Sequence, residues 1–442
     1  MKKKIISNIF VAVFLILCLS LSIGTLVFGP AGAAANERLT EFPQLTAEDG
    51  KPNWEFLPQL QRYVGDRFFL RQKLITLDRR MSSLLGVSGE DSVIAGKDGW
   101  LFFTQTLNDY TGVSPMSSRE LFSAASNVAL MDEYCRKTGK EFTFIIAPNK
   151  NSLYGQFMPD YGVTAKTSNA KVFHNLLDQL GVDYVDLFAA FGEIKEPLYF
   201  AHDSHWNSKG AALGADLINR SFSKATNYFG GDFSKTVLHE GDLYAMVFPG
   251  AEDPETDPVY GGQLNFIFTS KATQPDAISL STEGAGNGKL LCYRDSFGML
   301  LFPYLADSYA SAKFSRLVNY DLTGDVDYVA IELVERNLRY LIQNVPVMPS
   351  PVRRIDLPAG VSGSVEVLLA EKARAGSGCV QYAGTLPVKP DADACVYVVC
   401  GEIVYEAFCL ENDGFAVNIP EGSAPEFVIY NISGMPQMFQ IN

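Results

Sequence analysis

The sequence predicts an α/β domain with a mainly parallel sheet, followed by a small all-β domain. Up to about residue 345, continuous apolar strands such as Glu141–Pro148 and Gly288–Tyr293 alternate with amphipathic helices, which is typical of α/β folds. Beyond the Pro-rich segment Pro346–Gly360, apolar residues recur at every second position between Gly, Pro and Asn-Asp-Gly turns. That period indicates strands.

The N-terminal segment has its own pattern, because Lys2, Lys3 and Lys4 precede an uncharged apolar run from about Ile5 to Phe28. A run of about 20 apolar residues can span a bilayer, and preceding lysines hold their end in the cytoplasm. The alternative is a cleaved signal peptide, since residues 31–35 offer A-x-A sites. The length of the run favours a single-pass anchor with the body outside, and cleavage predicts a secreted protein.

The predicted domains follow from these patterns. Residues 1–35 form the anchor or signal segment, 36–345 a catalytic domain, 346–360 a linker and 361–442 the β domain. Within 36–345, an amphipathic helix is interrupted near Gly65, and residues 221–287 are a Pro- and acid-rich insertion. Ser117 or Ser118 is expected to begin one helix, and Asn207 or Ser208 another.

Composition excludes some classes of function. The chain has 442 residues, 47% of them hydrophobic and 19% charged, as expected for a globular protein. Its net charge of −14 and the lack of a basic, aromatic-laced stripe argue against nucleic-acid binding. Six cysteines lie beyond the N-terminal run, four of them near the C-terminus. These four cysteines are compatible with one or two disulfides. The sequence contains no C-x-x-C pair, so it does not predict a zinc site with thiolate ligands.

The stretch HDSHWNSKG, residues 202–210, holds two of the four histidines. In an extended segment, Asp203 and His205 share a face, so the carboxylate can hold Nδ1–H and leave Nε2 as a base. A structural Asp–His contact at a helix start is the alternative. His202 is expected to be exposed or structural, and His174 and His239 to lie at the surface. His202 and His205 form an H-x-x-H pattern, but no third ligand elsewhere in the sequence stands out to complete a metal site. We therefore predict no metal and no cofactor.

The second element is YRDSFG, residues 293–298, between an apolar strand and a helix. A serine at such a turn exposes its Oγ at the carboxyl edge of the sheet, and free amides at the helix start can bind an oxyanion. The alternative is that Asp295 or Ser296 only caps the helix. Because open α/β sheets keep their sites at this edge, the two elements together favour Ser–His–Asp acyl transfer.

The order of DSHWN and a later RDSFG resembles the DHHW and alginate O-acetyltransferase-like branch of the SGNH/GDSL hydrolase superfamily. Stretches in the same order extend the resemblance over residues 36–345: NERLTEFPQL, VGDRFFLRQKLI, GKDGWLFF, APNKNSLY and GDLYAM. The resemblance implies a three-layer α/β/α domain, with Ser296 as nucleophile, His205 as base and Asp203 as the orienting acid. The chain departs from the family pattern at Ser204, where the DHHW name has His, and at Arg294, where Gly-Asp-Ser has Gly.

The resemblance also implies the function. We expect an O-acetyltransferase that acts on a polysaccharide outside the cytoplasm, with a polytopic membrane acyltransferase as the acetyl donor. An acetyl esterase and a non-catalytic glycan-binding protein are the alternatives. Beyond the Ser296 amide, the expected substrate or oxyanion contacts are Arg294, Asn149, Lys150, Tyr154 and Trp206, although Trp206 also fits a packing role.

Overall fold

The computed structural model describes residues 23–32, 39–46, 50–84, 91–113, 115–162, 167–235, 238–369 and 378–442, with single positions between 11 and 21. The helices beyond residue 50 are α1 (Phe56–Gly65), α2 (Arg71–Leu84), α3 (Leu107–Thr111), α4 (Ser118–Lys137), α5 (Lys150–Leu153), α6 (Asn169–Leu180), α7 (Leu187–Gly192), α8 (Ser208–Ser221), α9 (Asp242–Val247), α10 (Gly298–Ser308) and α11 (Tyr340–Gln343).

The strands up to residue 334 are β1 (Val93–Ala95), β2 (Leu101–Phe103), β3 (Glu141–Ala147), β4 (Tyr184–Val185), β5 (Phe233–Lys235), β6 (Pro258–Tyr260), β7 (Phe266–Phe268), β8 (Ser279–Gly284), β9 (Lys289–Tyr293), β10 (Ser311–Ser315) and β11 (Tyr328–Val334). The later strands are β12 (Val352–Arg353), β13 (Val361–Val365), β14 (Val367–Leu369), β15 (Cys379–Thr385), β16 (Val396–Cys400), β17 (Ile403–Cys409), β18 (Gly414–Pro420), β19 (Phe427–Ile432) and β20 (Met435–Ile441).

The central sheet has the strand order β4-β3-β11-β9-β10-β8-β7. The five strands from β4 to β10 are parallel, whereas β8 and β7 pair antiparallel. The sheet is therefore mixed: most of its strands are parallel, as expected, and the antiparallel β7 and β8 depart from that expectation. The reason is the short connection at residues 285–288, which turns the chain directly from β8 into β9 and makes these two strands run in opposite directions. Strands β7 and β8 come from the segment interpreted as an insertion.

Helices cover both faces of this sheet. Alternate residues of β3 point to opposite faces, so Phe144 and Ile146 pack with α4 and α6, while Ile145 and Ala147 pack with α8 and α10. The domain therefore has the three α/β/α layers. The expected helix starts are present, because Ser117 forms a capping box with Glu120, and Asn207 accepts a hydrogen bond from Gly210 N–H.

The C-terminal strands form a nine-stranded sheet of their own, β12 to β20, and the C-terminal region is β-rich as predicted. This sheet packs on α4, since the Asn127 amide exchanges hydrogen bonds with the Cys409 backbone in both directions, at 2.8 and 3.0 Å. The six cysteines beyond the N-terminal run are free thiols. The suggested disulfides are therefore absent among them.

The predicted anchor gains no support from the structure. Residues 1–10 and several positions between 12 and 22 lie outside the described residues. Among the positions that are described, none belongs to a helix that is both long enough and apolar enough to cross a bilayer.

Candidate active site

Three parallel strands of the central sheet end at one edge, and a polar residue lies two or three positions after the end of each. Asn149 follows β3, Ser296 follows β9 and Arg336 follows β11. Because parallel strands bring their carboxyl ends to the same edge, this is where an open α/β sheet places its site. The loop before α8, which carries His205, also reaches this edge, since His205 contacts Ser296.

Local contacts fix the shape of the loop that holds His205. A bridge between Tyr199 and Trp206 closes it. Asn207 then accepts from Gly210 N–H at 3.0 Å and donates to the Pro197 carbonyl at 2.9 Å, which ends the loop and starts α8. Trp206 itself is fully buried. The loop is therefore held at both sides of residues 202–205.

The side chains of Ser296, His205 and Asp203 form one hydrogen-bonded series. His205 Nε2 lies 2.8 Å from Ser296 Oγ, and His205 Nδ1 lies 2.7 Å from Asp203 Oδ1. With Nδ1 protonated and facing the carboxylate, Nε2 is left to accept the serine proton. This is the geometry that a Ser–His–Asp acyl-transfer site requires.

The turn that carries Ser296 is held by its neighbour, Asp295. One carboxylate oxygen of Asp295 accepts from Phe297 N–H at 2.9 Å. The other accepts from Val334 N–H and from the Asn337 amide, each at 2.8 Å. Asp295 thus closes this turn and ties it to the end of β11, while Ser296 Oγ contacts His205. The start of α10 itself, at Phe297, has no side-chain cap, so neither Asp295 nor Ser296 acts as the cap that the alternative required.

Asp203 accepts more hydrogen bonds than its contact with His205 alone. Oδ1 also accepts from His205 backbone N–H at 2.9 Å, and Oδ2 accepts from His239 Nε2 at 3.0 Å and Asp242 N–H at 3.1 Å. Burial opposes ionisation of Asp203, but the charges and hydrogen bonds of the two histidines outweigh it. They hold the pKa of this carboxyl well below its usual range. Asp203 is therefore a fixed negative charge behind His205.

A second carboxylate, Asp242, lies beside the first. It accepts from Ser204 N–H at 2.8 Å and Ser204 Oγ at 2.6 Å, and it lies 3.8 Å from His205 Nδ1. Burial and the neighbouring Asp203 charge raise the pKa of Asp242. Ser204, which replaces the His of the family name, therefore anchors α9 against the loop.

The pKa of His205 follows from these neighbours. Burial disfavours the imidazolium, but the charge and hydrogen bond of Asp203, with a contribution from Asp242, raise the pKa above its ordinary value of 6.5. A raised pKa means that the imidazolium persists to higher pH than in a free histidine.

We expect acetyl-ester turnover to fall on the acid side of a midpoint above pH 6.5. The neutral imidazole is the form that accepts the Ser296 proton, so activity is present above the raised His205 pKa and lost as the pH falls through it. The pH profile of kcat/KM measures this midpoint. His239→Gln is the control, because the pKa of His239 is also raised; loss of the acid limb in this variant would assign the midpoint to His239 instead.

The predicted oxyanion and substrate contacts are mostly engaged within the protein. Lys150 Nζ donates to the carbonyls of Phe200, Ala201 and Asp203 at 2.7–2.9 Å, and burial lowers its pKa to about 7. The ammonium therefore holds the loop that carries Asp203 and His205. Its three contacts are with that loop, which corrects the expectation of a substrate contact.

The remaining candidates are engaged in a similar way. The guanidinium of Arg294 donates to the carbonyls of Pro275, Ala277 and Asp295. The Asn149 amide donates to Asp109 at 3.2 Å, Tyr154 Oη accepts from Leu198 N–H at 2.8 Å, and Trp206 Nε1 donates to the Phe297 carbonyl at 2.9 Å. Full burial of Trp206 excludes a sugar contact. Across the part of the chain that the structure describes, the Ser296 N–H has no acceptor, so it remains available to an oxyanion.

Two groups of side chains near the site have metal-ligand chemistry. They are His202 with Asp253 and Glu255, and Asp203 with His205 and Asp242. In the first group, His202 Nδ1 contacts Asp253 at 2.6 Å, and Glu255 accepts from two backbone N–H groups. In the second, both nitrogens of His205 already face protein groups. Hydrogen bonds within the protein account for both groups.

We expected His174 and His239 to lie at the surface, but both pack against aromatic rings. His174 is buried, with its ring stacked on Tyr184 at 4.4 Å. His239 stacks on Phe200 at 3.6 Å and donates to Asp203. His239 lies 36 residues after Asp203 in the chain, so no local spacing could join them. The only sequence signal was the following GDLYAM stretch, which belongs to the family pattern.

A family model matches part of this chain. Residues 93–260 match the family model described as SGNH hydrolase-like domain, acetyltransferase AlgX. The family resemblance is therefore confirmed over that part of the chain. No curated protein matches the chain.

Solved structures similar to this chain include three from bacteria. A DHHW family protein from Eubacterium siraeum is 16% identical with a TM-score of 0.42, and the match covers 57% of this chain and 99% of that one. PatB1 from Bacillus cereus is 17% identical with a TM-score of 0.44, covering 56% and 96%. AlgX from Pseudomonas aeruginosa is 10% identical with a TM-score of 0.36, covering 79% and 90%.

Proposed function

We propose that this chain is an extracytoplasmic O-acetyltransferase that transfers acetyl groups to hydroxyls of a cell-surface or exported polysaccharide. The observation that carries the proposal is the series from Asp203 through His205 to Ser296, with contacts of 2.7 and 2.8 Å. The family model over residues 93–260 supports acyl transfer as the reaction class. A membrane acyltransferase as acetyl donor and a membrane-held N-terminus are parts of the same proposal.

The proposed reaction has two steps. Ser296 Oγ attacks the acetyl carbonyl carbon as His205 Nε2 takes the serine proton, and the protonated His205 then returns it to the leaving oxygen of the donor. In the second step, a sugar hydroxyl gives its proton to His205 and attacks the acetyl-serine. Asp203 holds the imidazole and offsets its positive charge in both steps.

A cleft of about 400 Å³ opens beside the nucleophile and is the proposed acceptor site. This volume lies within the usual range for small-molecule sites. The exposed or half-buried side chains that line it include carboxamides and a phenol, which suit sugar hydroxyls: Asn337, Tyr340, Gln343 and Asn344. Since the cleft is open and Ser296 is half-buried, water also reaches the acetyl-serine. That observation supports the second candidate function, an acetyl esterase.

Acetyl partitioning between sugar and water separates the two functions. The full chain is given 4-nitrophenyl acetate with neutral or acidic oligosaccharides, and mass spectrometry follows acetylated sugar and free acetate. A transferase will form acetylated sugar at the expense of acetate, and only when Ser296 is intact. Acetate release that no oligosaccharide changes would support the esterase. An absence of Ser296-dependent acetyl chemistry would refute both and favour a non-catalytic glycan-binding role.

A further inference from the structure

The guanidinium of Arg336 lies beside the ring of Phe297, the residue that follows Ser296. It belongs to the turn Glu335–Asn337, directly after β11. Among the residues that the structure describes, no carboxylate or carbonyl lies within hydrogen-bonding or ion-pair distance of it. Two other arginines near this end of the chain do have carboxylate partners, since Arg339 pairs with Glu120 and Arg353 with Glu133 and Glu406.

The turn that carries Arg336 is held on both sides. Glu335 accepts from Asn149 N–H at 3.1 Å and Ser152 Oγ at 2.5 Å, which fixes the turn to the end of β3. The Asn337 amide donates to Asp295 at 2.8 Å, which fixes it to the turn of the nucleophile. The backbone at Arg336 is therefore fixed on both sides, and one of these contacts, between Asn337 and Asp295, also holds the turn of Ser296.

Two aromatic rings hold the guanidinium itself. Its central carbon lies 5.6 Å from the ring centre of Phe103 and 5.7 Å from that of Phe297. A cation over an aromatic ring is held by the ring quadrupole, but the rings leave its N–H groups without acceptors. Phe297 follows Ser296 directly, and its ring centre lies 4.8 Å from that of His205. The positive charge of Arg336 also acts to lower the pKa of His205.

Two other cations near the nucleophile are engaged within the protein. Lys150 Nζ and the terminal nitrogens of Arg294 donate to backbone carbonyls, and Arg294 Nε is buried. A tetrahedral acyl intermediate carries a full negative charge on oxygen, and preorganised donors that meet this charge are usually a large part of catalysis. Arg336 offers five N–H donors. Asp109 and Glu332 interact with its charge from a distance, but no carboxylate among the described residues forms an ion pair with it.

We infer that Arg336 is a catalytic residue that binds the oxyanion of the acetyl group, together with the Ser296 N–H; this inference rests on the proposed function. When Ser296 Oγ bonds to the carbonyl carbon, the electron pair of the C=O bond moves to the oxygen, and His205 holds the serine proton. The Arg336 N–H groups donate to that oxygen. On collapse the C=O bond re-forms, and the leaving oxygen takes the proton from His205.

Replacement of Arg336 by Met in the full chain tests the inference. We expect kcat for 4-nitrophenyl acetate to fall about 10²-fold or more with little change in KM, as for the loss of one oxyanion donor. Arg336→Lys will retain part of the rate, and millimolar guanidinium will restore part of it to Arg336→Ala. The acid limb of the pH profile will move to higher pH, because removing a positive charge stabilises the His205 imidazolium. Arg354→Met, at an exposed position, is the matched control and keeps the wild-type rate.

A binding measurement tests whether Arg336 binds an anion without relying on catalytic turnover. Methylphosphonate presents a tetrahedral anion, and calorimetry on the full chain measures its affinity. We expect the dissociation constant to rise about tenfold or more in Arg336→Met and to stay unchanged in Arg354→Met. If wild-type turnover proves independent of Ser296, the proposed function fails, and this measurement still tests whether Arg336 binds an anion.

Two results would overturn the inference while leaving the proposed function intact. One is a Ser296-dependent rate and a methylphosphonate affinity that are both unchanged in Arg336→Met. The other is an unchanged rate for the neutral ester with a raised KM only for acidic oligosaccharides, which would make Arg336 a contact for an acceptor carboxylate instead. A wild-type chain that fails to bind methylphosphonate would also count against the oxyanion site.

Discussion

Replacing Ser296 with Ala will lower acetyl-ester turnover by about 10⁴-fold or more and abolish the acetyl-enzyme. Ser296 Oγ is the atom that faces His205 Nε2, at 2.8 Å, and without it no acetyl-serine can form. Residual turnover will come only from general binding and the oxyanion donors. A chromogenic acetyl ester measures the rate, and intact-protein mass spectrometry at low pH detects the acetyl group.

The fold should tolerate this change, which keeps the test clear. Among the described residues, Ser296 Oγ makes one hydrogen bond, to His205, whereas Asp295 makes the contacts that hold the turn. The thermal unfolding midpoint of Ser296→Ala should therefore lie close to that of the unaltered chain. Ser362→Ala, in an exposed strand of the C-terminal sheet, is the control and should keep full activity. Equal rates for Ser296→Ala and Ser362→Ala would refute Ser296 as the nucleophile.

Replacing Asp203 with Asn will lower kcat by about 10³- to 10⁴-fold, because an amide does not hold the histidine in the required tautomer. In this chain the effect has a further cause. Four donors converge on the carboxylate, from His205 N and Nδ1, His239 Nε2 and Asp242 N. An Asn offers one oxygen and one NH₂ group, so at least one of these donors loses its acceptor.

This variant will also be less stable than the unaltered chain, by about 1–3 kcal/mol for each donor left unpaired. The acid limb of the pH profile will move to lower pH, since the negative charge that raises the His205 pKa is gone. Asp253→Asn is the matched control: Asp253 is buried and accepts from His202 and two backbone N–H groups. A similar loss of kcat in both variants would show that Asp203 acts through general stability rather than by orienting His205.

Local sequence patterns were enough for several elements and for the candidate site. A buried strand and a helix flank Ser296, and the helix starts at Ser117 and Asn207 were visible as capping residues. The spacing of Asp203 and His205 put both on one face, and the structure places their side chains 2.7 Å apart. These features depend on periods of two to four residues, which a single sequence displays directly.

Other features depended on contacts between distant segments. The antiparallel pairing of β8 and the packing of α4 on the C-terminal sheet join residues far apart in the chain. The burial of Lys150 and Trp206 was also not predictable from the sequence, because a charged or aromatic side chain in such a loop is compatible with either a binding site or a packed loop. Only the positions of the neighbouring carbonyls decided between these two roles.

The sequence by itself determined which chemistry we propose here, because the proposed nucleophile, base and acid lie at strand and loop ends that local patterns reveal. The tertiary structure decided which other groups surround that chemistry. It brought His239 and Asp242 to Asp203 and engaged Lys150 and Arg294 with backbone carbonyls. It also placed Arg336 near two aromatic rings, with no ion-pair partner among the described residues. The physical reason is that hydrogen bonds and Coulomb interactions act over a few ångströms in space, whatever the separation along the chain.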